Sequence, residues 1–446
     1  MKGKYIVIDD KGKEYRPSEL LGSSSVNPDF KVFLEAEING KKDPDRKSDY
    51  LRYAKKFGFD WEDNAEIGFM RSDYKANLMM ELVKEYARKL VSEIGFPVFE
   101  VRGSNMFDMS YPVVRSYAGL FGGRLFKLKP GKKEMVMSYD ASYPQFNLAS
   151  RYQLSKNGLP FAHFSLSDCY RYEQSGECML MYRLRRFFMP DLHPYFRDVE
   201  EAFRWYPKIE KKLIEAGRAV GREYQFLIEV ASDKVWEEYK SQIKAVAKNF
   251  GRDVLIEIDQ DKKDKYWIIN ADYKIVDKLG QSREICCIQI DVGNAKRLGI
   301  KYLDDDGDYK YPAIIHSAVP GGIERYLYMA IDGLPENFPL WLNPIQARVI
   351  PVSEKYFDSA VKLVRDLGPG VARIELDDRN ESVSKRIKMA KEDLVPEIVV
   401  FGEKELSQKD PRVSLKPVLN RVARENSEKV FLNYSWPLRV SEQVRV

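Results

Sequence analysis

Apolar positions along the chain change period several times, and each change marks an expected element. Near the N-terminus the run KYIVI alternates and is closed by a DDKG turn, which predicts a strand; charged text with helical spacing follows from Lys31 to Trp61. The run ANLMMELVKEYARKLVSEIG sets Leu78, Leu82, Val83, Tyr86, Leu90, Val91 and Ile94 at helical spacing, with Gly95 as the stop. From Phe96 to Asp291 most segments are short and strand-like, split by turns such as KPGKK and LGQS and interrupted by helical stretches at Val199–Gly221 and near Val235–Phe250. That pattern predicts a large antiparallel sheet with helices packed on it. Beyond the proline-rich LPENFPLWLNP, strands at 347–352, 371–376 and 397–401 alternate with helical text at 354–367 and 381–392, the mark of a separate α/β domain. The expected class is α+β: a small N-terminal extension over 1–65, an antiparallel-sheet domain over 66–337 and an α/β domain over 338–446.

Composition narrows the partners. With 44% apolar and 32% charged residues, and 27 Tyr and 23 Phe, the chain has the means to bury cores. Its 73 basic and 68 acidic residues leave a net charge of only +5, so a polyanion has to be met by local basic patches. The four cysteines form no CxxC pair, which fits a reducing cytoplasm. The lysines of MKGKYIVIDDKGKEY are followed by no apolar signal region, and no run approaches the roughly eighteen apolar residues of a membrane span, so neither export nor a membrane partner is expected.

The densest chemistry lies in CYRYEQSGECMLMYRLRRF, Cys169 to Phe187, where four arginines and two glutamates surround a Ser-Gly turn. If SDCYRYE and YRLRRFFMPDLHPYF are the arms of a hairpin, residues of like parity share a face. Arg171 and Glu173 then point one way, and Arg183, Arg185, Phe187, Met189, Asp191 and His193 share a parity on the returning arm. Guanidinium forks with a flat ring suit a nucleoside triphosphate, the forks on phosphate oxygens and the ring on the base. Spacing alone equally allows these arginines to pair with Glu173, Glu177 and Asp191 on a solvated strand face.

YRYEQSG followed by RLRRFFMPDLH resembles motif 2 of class II aminoacyl-tRNA synthetases, in the version of the archaeal threonyl-tRNA synthetases. IQIDVGNAKRLGI (Ile288–Ile300) and IIHSAVPGGIERYL (Ile314–Leu327) agree with it, the latter similar to motif 3, and VRGSNMFDMSYP and LWLNPIQARVIPV extend the match from about Lys47 to the C-terminus. The resemblance implies a class II catalytic domain followed by an anticodon-binding domain. It implies that Arg171 holds the α-phosphate of ATP, Glu173 the adenine amino group and Arg183 the γ-phosphate, that Phe187 stacks on adenine, and that Arg325 completes the phosphate clamp. Two anions meet when a carboxylate attacks the α-phosphate, so fixed cations are required, with magnesium on the pyrophosphate side.

For the amino acid, the resemblance implies that Asp191 accepts the threonine hydroxyl, that His193 and His316 bind zinc, and that Tyr273 and Gln289 lie near the substrate. The family's third zinc ligand is a cysteine, where this chain has Ser142 in SYDASYPQF. A neutral hydroxyl is a much poorer zinc ligand than a thiolate, so the metal is expected to be weakened or lost. Cys287 shares a parity with Gln289 and is either a substitute facing the same cavity or an inert buried thiol. His163 matches no ligand and reads as a packed strand residue.

In the last domain Glu381, Lys385, Arg386 and Lys388 lie on helical text expected to face tRNA(Thr) or simply solvent. The expected activity is attachment of threonine to that tRNA. The roughly sixty-five residues before the main helix are too few for an editing domain, and threonine and serine differ by a methyl group that a pocket resolves by only about 1–3 kcal/mol. A separate trans-editing protein is therefore expected. The same sequence allows a non-charging paralogue that binds nucleotide or RNA, and a class II synthetase with altered amino-acid choice. A homodimer is expected from the resemblance, with Ala76–Ile94 and GFPVFEVRG near its interface.

Overall fold

The computed structural model describes residues 3–24, 26–40, 47–261, 265–366, 372–410, 415–432 and 436–443. The helical text at 41–46 and the start of the expected strand at Val371 lie outside them. The chain forms two compact units, one from residues 1–51, 61–70 and 90–334 and one from 52–60, 71–89 and 335–446.

Ten strands build the main sheet of the first unit. In chain order they are β1 (Gly3–Ile8), β2 (Glu14–Tyr15), β3 (Val98–Glu100), β4 (Phe161–Tyr170), β5 (Arg186–Phe196), β6 (Gln225–Val230), β7 (Val254–Asp259), β8 (Trp267–Val276), β9 (Ser282–Asp291) and β10 (Ala313–Ala318). They lie side by side as β2-β1-β7-β6-β8-β9-β10-β5-β4-β3. The centre is antiparallel, as the short strands and turns predict, but β3 joins β4 and β6 joins β7 in parallel, so the sheet as a whole is mixed. The alternating N-terminal run is part of it: β1 pairs with β7 over six positions, from Gly3↔Asp259 to Ile8↔Val254.

The helices used below are α1 (Pro28–Asn39), α2 (Tyr74–Ser92), α3 (Ser142–Ala149), α4 (Val199–Ala219), α5 (Asp233–Phe250), α6 (Asn294–Leu298), α7 (Ile323–Asp332), α8 (Phe357–Asp366), α9 (Val383–Glu392) and α10 (Lys416–Glu428). Helix α1 is capped by the Asn27 side chain and buries Phe30, Phe33 and Leu34 against Val7, Leu227 and Leu255 of the sheet. The long amphipathic α4 begins at Asp198, whose carboxylate accepts from the Glu201 amide, and buries Tyr206, Ile209 and Leu213 completely. Each such burial stabilises by roughly 1.5–3 kcal/mol, which is what holds these helices to the sheet.

Where α4 and α5 meet β8 there is a fully buried acid, Glu210. It accepts from the Tyr273 hydroxyl at 2.9 Å and from Asn249, and Tyr273 in turn contacts the Tyr206 hydroxyl at 2.9 Å. Tyr273 also stacks on Phe226, with ring centroids 4.6 Å apart. Tyr273, which the resemblance puts near the substrate, is thus fully buried among these side chains.

In the second unit β11 (Ala347–Pro351) lies between β12 (Ile374–Leu376) and β13 (Glu397–Phe401), all parallel, with α8 and α9 where the helical text predicts them and α10 as a further helix that the sequence pattern did not mark. Val349, Leu376, Phe401 and Leu363 form its core. Two buried arginines tie it together. Arg348 donates to Glu375 at 2.7 and 3.0 Å and to Asp393 at 2.7 Å, while Arg373 donates to the carbonyls of Trp341 and Asn343 at 2.6 and 2.9 Å. Among the described residues no helix is long and apolar enough to cross a membrane.

Burial pushes the Glu210 carboxyl up from 4.5 to about 7, so the folded state holds its proton more tightly than the unfolded chain. Its contribution is complete below about pH 4.5 and is lost as the pH rises through about 7, a loss of roughly 3 kcal/mol. Glu210→Gln is expected to remove this slope, gaining stability relative to the wild type as the pH rises. Thermal unfolding of both proteins from pH 4.5 to 8 measures the gap, and parallel curves would refute the assignment.

Candidate active site

At the centre of the main sheet the pleat turns one row of side chains into a cavity of about 640 Å³. Strand β5 contributes Phe187, Met189 and Asp191, β9 contributes Cys287 and Gln289, and β10 contributes His316. Period two is kept because β5 pairs without a break with β4, from Tyr170↔Arg186 to Phe161↔Tyr195. Pairing begins at Arg186, however, so Arg183 and Arg185 lie in the connecting loop and are not bound by the strand's parity. Arg183 lines the cavity. Arg185 is instead almost fully buried, donating to the Glu173 carbonyl at 3.0 Å and pairing with Glu66, its guanidinium 4.8 Å from the Tyr172 ring. It supports the loop.

One end of the cavity is cationic and aromatic. Arg171 donates to the Tyr139 carbonyl at 3.0 Å, and its guanidinium lies 5.2 Å from the Phe187 ring and 5.6 Å from that of Phe121. The buried Glu173 carboxylate accepts from Arg183 at 2.9 Å, and Glu177 lies 3.4 Å from the same guanidinium. Arg325 projects from the first turn of α7 and donates to the carbonyls of Tyr182 and Glu284 at 3.2 and 3.3 Å, with the Glu284 carboxylate also at 3.3 Å. Helix α7 is brought this close by Gly321, at φ +127°, where a Cβ would stand 2.6 Å from the Ile285 carbonyl oxygen. Glu324 fastens the helix to β5, both its oxygens accepting from the Phe188 amide at 3.0 and 3.1 Å.

The other end is a cluster of buried polar groups. Ser142, the first residue of α3, places its Oγ 3.0 Å from His193 Nε2 and 3.4 Å from His316 Nδ1, and the two imidazole nitrogens are 3.2 Å apart. Asp191 Oδ2 lies 3.5 Å from Ser142 Oγ and 3.6 Å from His193 Nε2. The opposite edge of His316 is fixed by Asp291, whose Oδ2 is 2.7 Å from Nε2; the same carboxylate accepts from the backbone amides of Gly293 and Asn294 at 2.8 and 2.9 Å. Nε2 therefore carries the proton, and Nδ1 presents a lone pair to the cluster.

Burial raises the carboxyls of Asp191, to about 7, and of Asp140, which also lines the cavity, and it holds His193 well below its ordinary range. Cys286 and Cys287 both line the cavity, with thiols pushed up by burial. Among the described residues no three His, Cys, Asp or Glu side chains have metal-binding geometry.

Gln289 is held by two neighbours, accepting from the Tyr266 hydroxyl at 3.1 Å and donating to Asn270 at 3.0 Å. Tyr266 and Asp140 line the cavity without having been singled out in the sequence; Tyr266, seven residues before Tyr273, occupies the cavity from which Tyr273 is absent. His163 is fully buried on β4, its ring against Tyr152, Phe161 and Tyr195, as a packed strand residue would be. In the second unit Lys385 is exposed and pairs with Glu381 at 2.6 Å, and Lys388 is exposed too. Arg386 is buried, donating to the carbonyls of Asp377 and Pro351 at 2.7 Å each, because adjacent helical residues point about 100° apart. The surface position expected for it is corrected accordingly.

Residues 126–333 match the tRNA synthetase class II core domain (G, H, P, S and T), and residues 346–429 match an anticodon binding domain. A threonine-tRNA ligase of Hyperthermus butylicus is 39% identical over 439 residues, 96% of this chain and 70% of the relative. The chain belongs to the threonine-tRNA ligase family. The family's Nanoarchaeum equitans member is 42% identical over 85% of this chain and 61% of its own length, and that of Pyrobaculum islandicum 38% identical over 90% and 66%. The chain thus spans about two thirds of the length of the family members it matches. In fold it is similar to a structure described as the RNA binding domain of threonyl-tRNA synthetase from Cryptosporidium parvum Iowa II, with a TM-score of 0.71 at 20% identity, covering 81% of this chain and 90% of that one. It is also similar to a Giardia lamblia prolyl-tRNA synthetase in complex with prolyl-adenylate, with a TM-score of 0.64 at 13% identity, covering 86% and 82%.

In this family member Asp291 closes the loop before α6 and orients His316 at once. Asp291→Ala leaves the buried backbone and side-chain amides of Asn294 and the imidazole N–H of His316 without their acceptor, while the Gly293 amide keeps the Tyr266 carbonyl, and is expected to cost about 1–3 kcal/mol, read as a lower unfolding midpoint. Ring ¹⁵N shifts of His316 should report the Nε2–H tautomer in the wild type and a mixture in the variant.

Proposed function

We propose that this chain joins threonine to ATP as threonyl-adenylate, releasing pyrophosphate, and then transfers the threonyl group to the 3'-terminal adenosine of tRNA(Thr). The observation that carries this reading is a single cavity with Arg171, Arg325 and Phe187 at one end and Asp191, Ser142 and His316 at the other. A nucleotide and a small hydroxylated amino acid would meet end to end in it. Phe187 supplies a flat face for adenine, and Glu173 an acceptor for its amino group once Arg183 turns to the γ-phosphate. Arg171 and Arg325 oppose the charge that gathers at the α-phosphate as the threonine carboxylate attacks it. Asp191 accepts the substrate hydroxyl, Asp140 faces its ammonium, and Gln289, held by Tyr266 and Asn270, lies between the two halves.

Magnesium fits the nucleotide end, where the Glu284 carboxylate beside Arg325 offers a hard oxygen donor; when bound it neutralises charge on the departing pyrophosphate. In the second unit Lys385 and Lys388 are the cations available to tRNA phosphates and Glu381 an acceptor for a base edge, with Arg386 holding their helix in place. A homodimer belongs to the same reading, supported by Phe99, 55% exposed on the edge strand β3. The cytoplasm is the compartment in which these substrates meet.

Amino-acid-dependent ATP-pyrophosphate exchange tests the first step, and threonine is expected to support it. Arg171→Ala and Arg325→Ala should each lower it by about 100- to 1000-fold with the fold intact by circular dichroism. A folded protein that binds ATP or tRNA and exchanges with no amino acid would instead be a non-charging paralogue. The double substitution Lys385→Glu, Lys388→Glu should weaken tRNA binding several-fold and flatten its salt dependence while leaving exchange unchanged.

A further inference from the structure

The polar end of the cavity has the outline of a metal site and the wrong donors for one. Zinc bonds of about 2.05 Å at tetrahedral angles put neighbouring ligand atoms about 3.3 Å apart, and the edges of the Ser142–His193–His316 triangle are 3.0, 3.2 and 3.4 Å. Three atoms therefore stand as a tetrahedral face would require, but two imidazoles and a hydroxyl bring no negative charge to a divalent ion. Asp191 approaches only the His193 and Ser142 corners, at 3.6 and 3.5 Å. No group of three His, Cys, Asp or Glu among the described residues replaces the missing anion, although Cys286 and Cys287 line the same cavity.

The second observation is on His193. Its Nδ1 is buried and meets no hydrogen-bond partner. To ligate a metal through Nε2 the ring must carry its proton on Nδ1, burying an unsatisfied donor, whereas a metal-ligating histidine ordinarily gives that proton to a carboxylate or carbonyl. With the proton on Nε2 instead, the ring donates into the cluster, to the lone pair that Asp291 keeps on His316 Nδ1, and Nδ1 is left as an unpaired acceptor rather than an unpaired donor. The three atoms of the Ser142–His193–His316 triangle then hydrogen-bond to one another without an ion.

We propose that this pocket operates without a transition metal: Ser142, His193 and His316 form a hydrogen-bonded wall that positions a small hydroxylated amino acid against Asp191, and residue 142 alone decides between this state and a zinc site. The choice of substrate rests on the function proposed above; the statement about metal does not. A serine in place of a thiolate removes the charged ligand while keeping the place of its atom, so the reverse change, Ser142→Cys, completes a Cys-His-His set on a face already spaced for zinc.

The test is metal content by mass spectrometry of full-length wild type and Ser142→Cys, both purified after growth with added zinc. The wild type is expected to hold less than about 0.1 zinc per chain and the variant about 1, and only the cobalt-loaded variant should show a thiolate-to-cobalt charge-transfer band. Threonine-dependent exchange by the wild type should be unchanged by a chelator selective for zinc over magnesium. One zinc per wild-type chain, lost in Ser142→Ala, would overturn the inference whatever the exchange assay shows, and that measurement does not depend on the cysteine variant folding. A zinc-free wild type that exchanges with no amino acid would support the inference and count against the proposed function.

Discussion

The pleat of four adjacent antiparallel strands governs the first unit. Once β5, β10, β9 and β8 are in register, with Asp191 opposite Ala318, His316 opposite Gln289 and Gln289 opposite Asn270, alternate side chains are turned toward the cavity face and the intervening ones toward the helix-covered face. A slip by one residue would exchange the two sets. The hydrophobic packing of α4 and α5 on the far face therefore holds the active-site row in place as firmly as it holds the core, and the same contacts serve stability and chemistry.

Electrostatics divides the cavity along its length. Guanidinium groups with glutamates stand at one end and aspartates with histidines at the other, and each group is held from behind by backbone or by a second side chain: Arg171 by the Tyr139 carbonyl, Arg325 by those of Tyr182 and Glu284, His316 by Asp291, Gln289 by Tyr266. Such supports fix orientation before a substrate arrives, which lowers the reorganisation needed during reaction. A second hollow, of about 710 Å³ near Lys156, Arg197 and Asp304, lacks that character, since Asp304 already pairs with Lys156 and Lys310, and Arg197 with Glu201.

What could be read from the sequence follows from how local each signal is. Long amphipathic runs such as 199–219 and 233–250 declare themselves, and so does the strand-helix alternation of the second unit. The parity of Phe187, Met189 and Asp191 was legible because β5 is paired continuously; that of Arg183 and Arg185 was not, because pairing starts just after them and only long-range contacts decide where they turn. Tyr266 was hidden by a register shift between Trp267 and Ile269, which breaks the period-two count along β8. Arg386 sits among surface lysines in the sequence and differs from them only in its angle around the helix. Asp140 precedes α3 in a segment whose burial nothing local announces.

The pairing of Arg183 with Glu173 and Glu177 gives the cavity a property of its own. A guanidinium facing open solvent would attract any passing anion, but this one is already neutralised by two carboxylates, one of them buried. An anion can take it only by bringing enough charge, and enough other contacts, to break that pairing and leave Glu173 with a new partner. Orthophosphate offers charge and nothing for the glutamate; a ligand that carries a phosphate chain and a hydrogen-bond donor on one frame offers both. The ion pair thus adds the cost of its own breaking to the binding of any anion at Arg183, a cost that a ligand reaching both Arg183 and Glu173 offsets more fully than one reaching Arg183 alone.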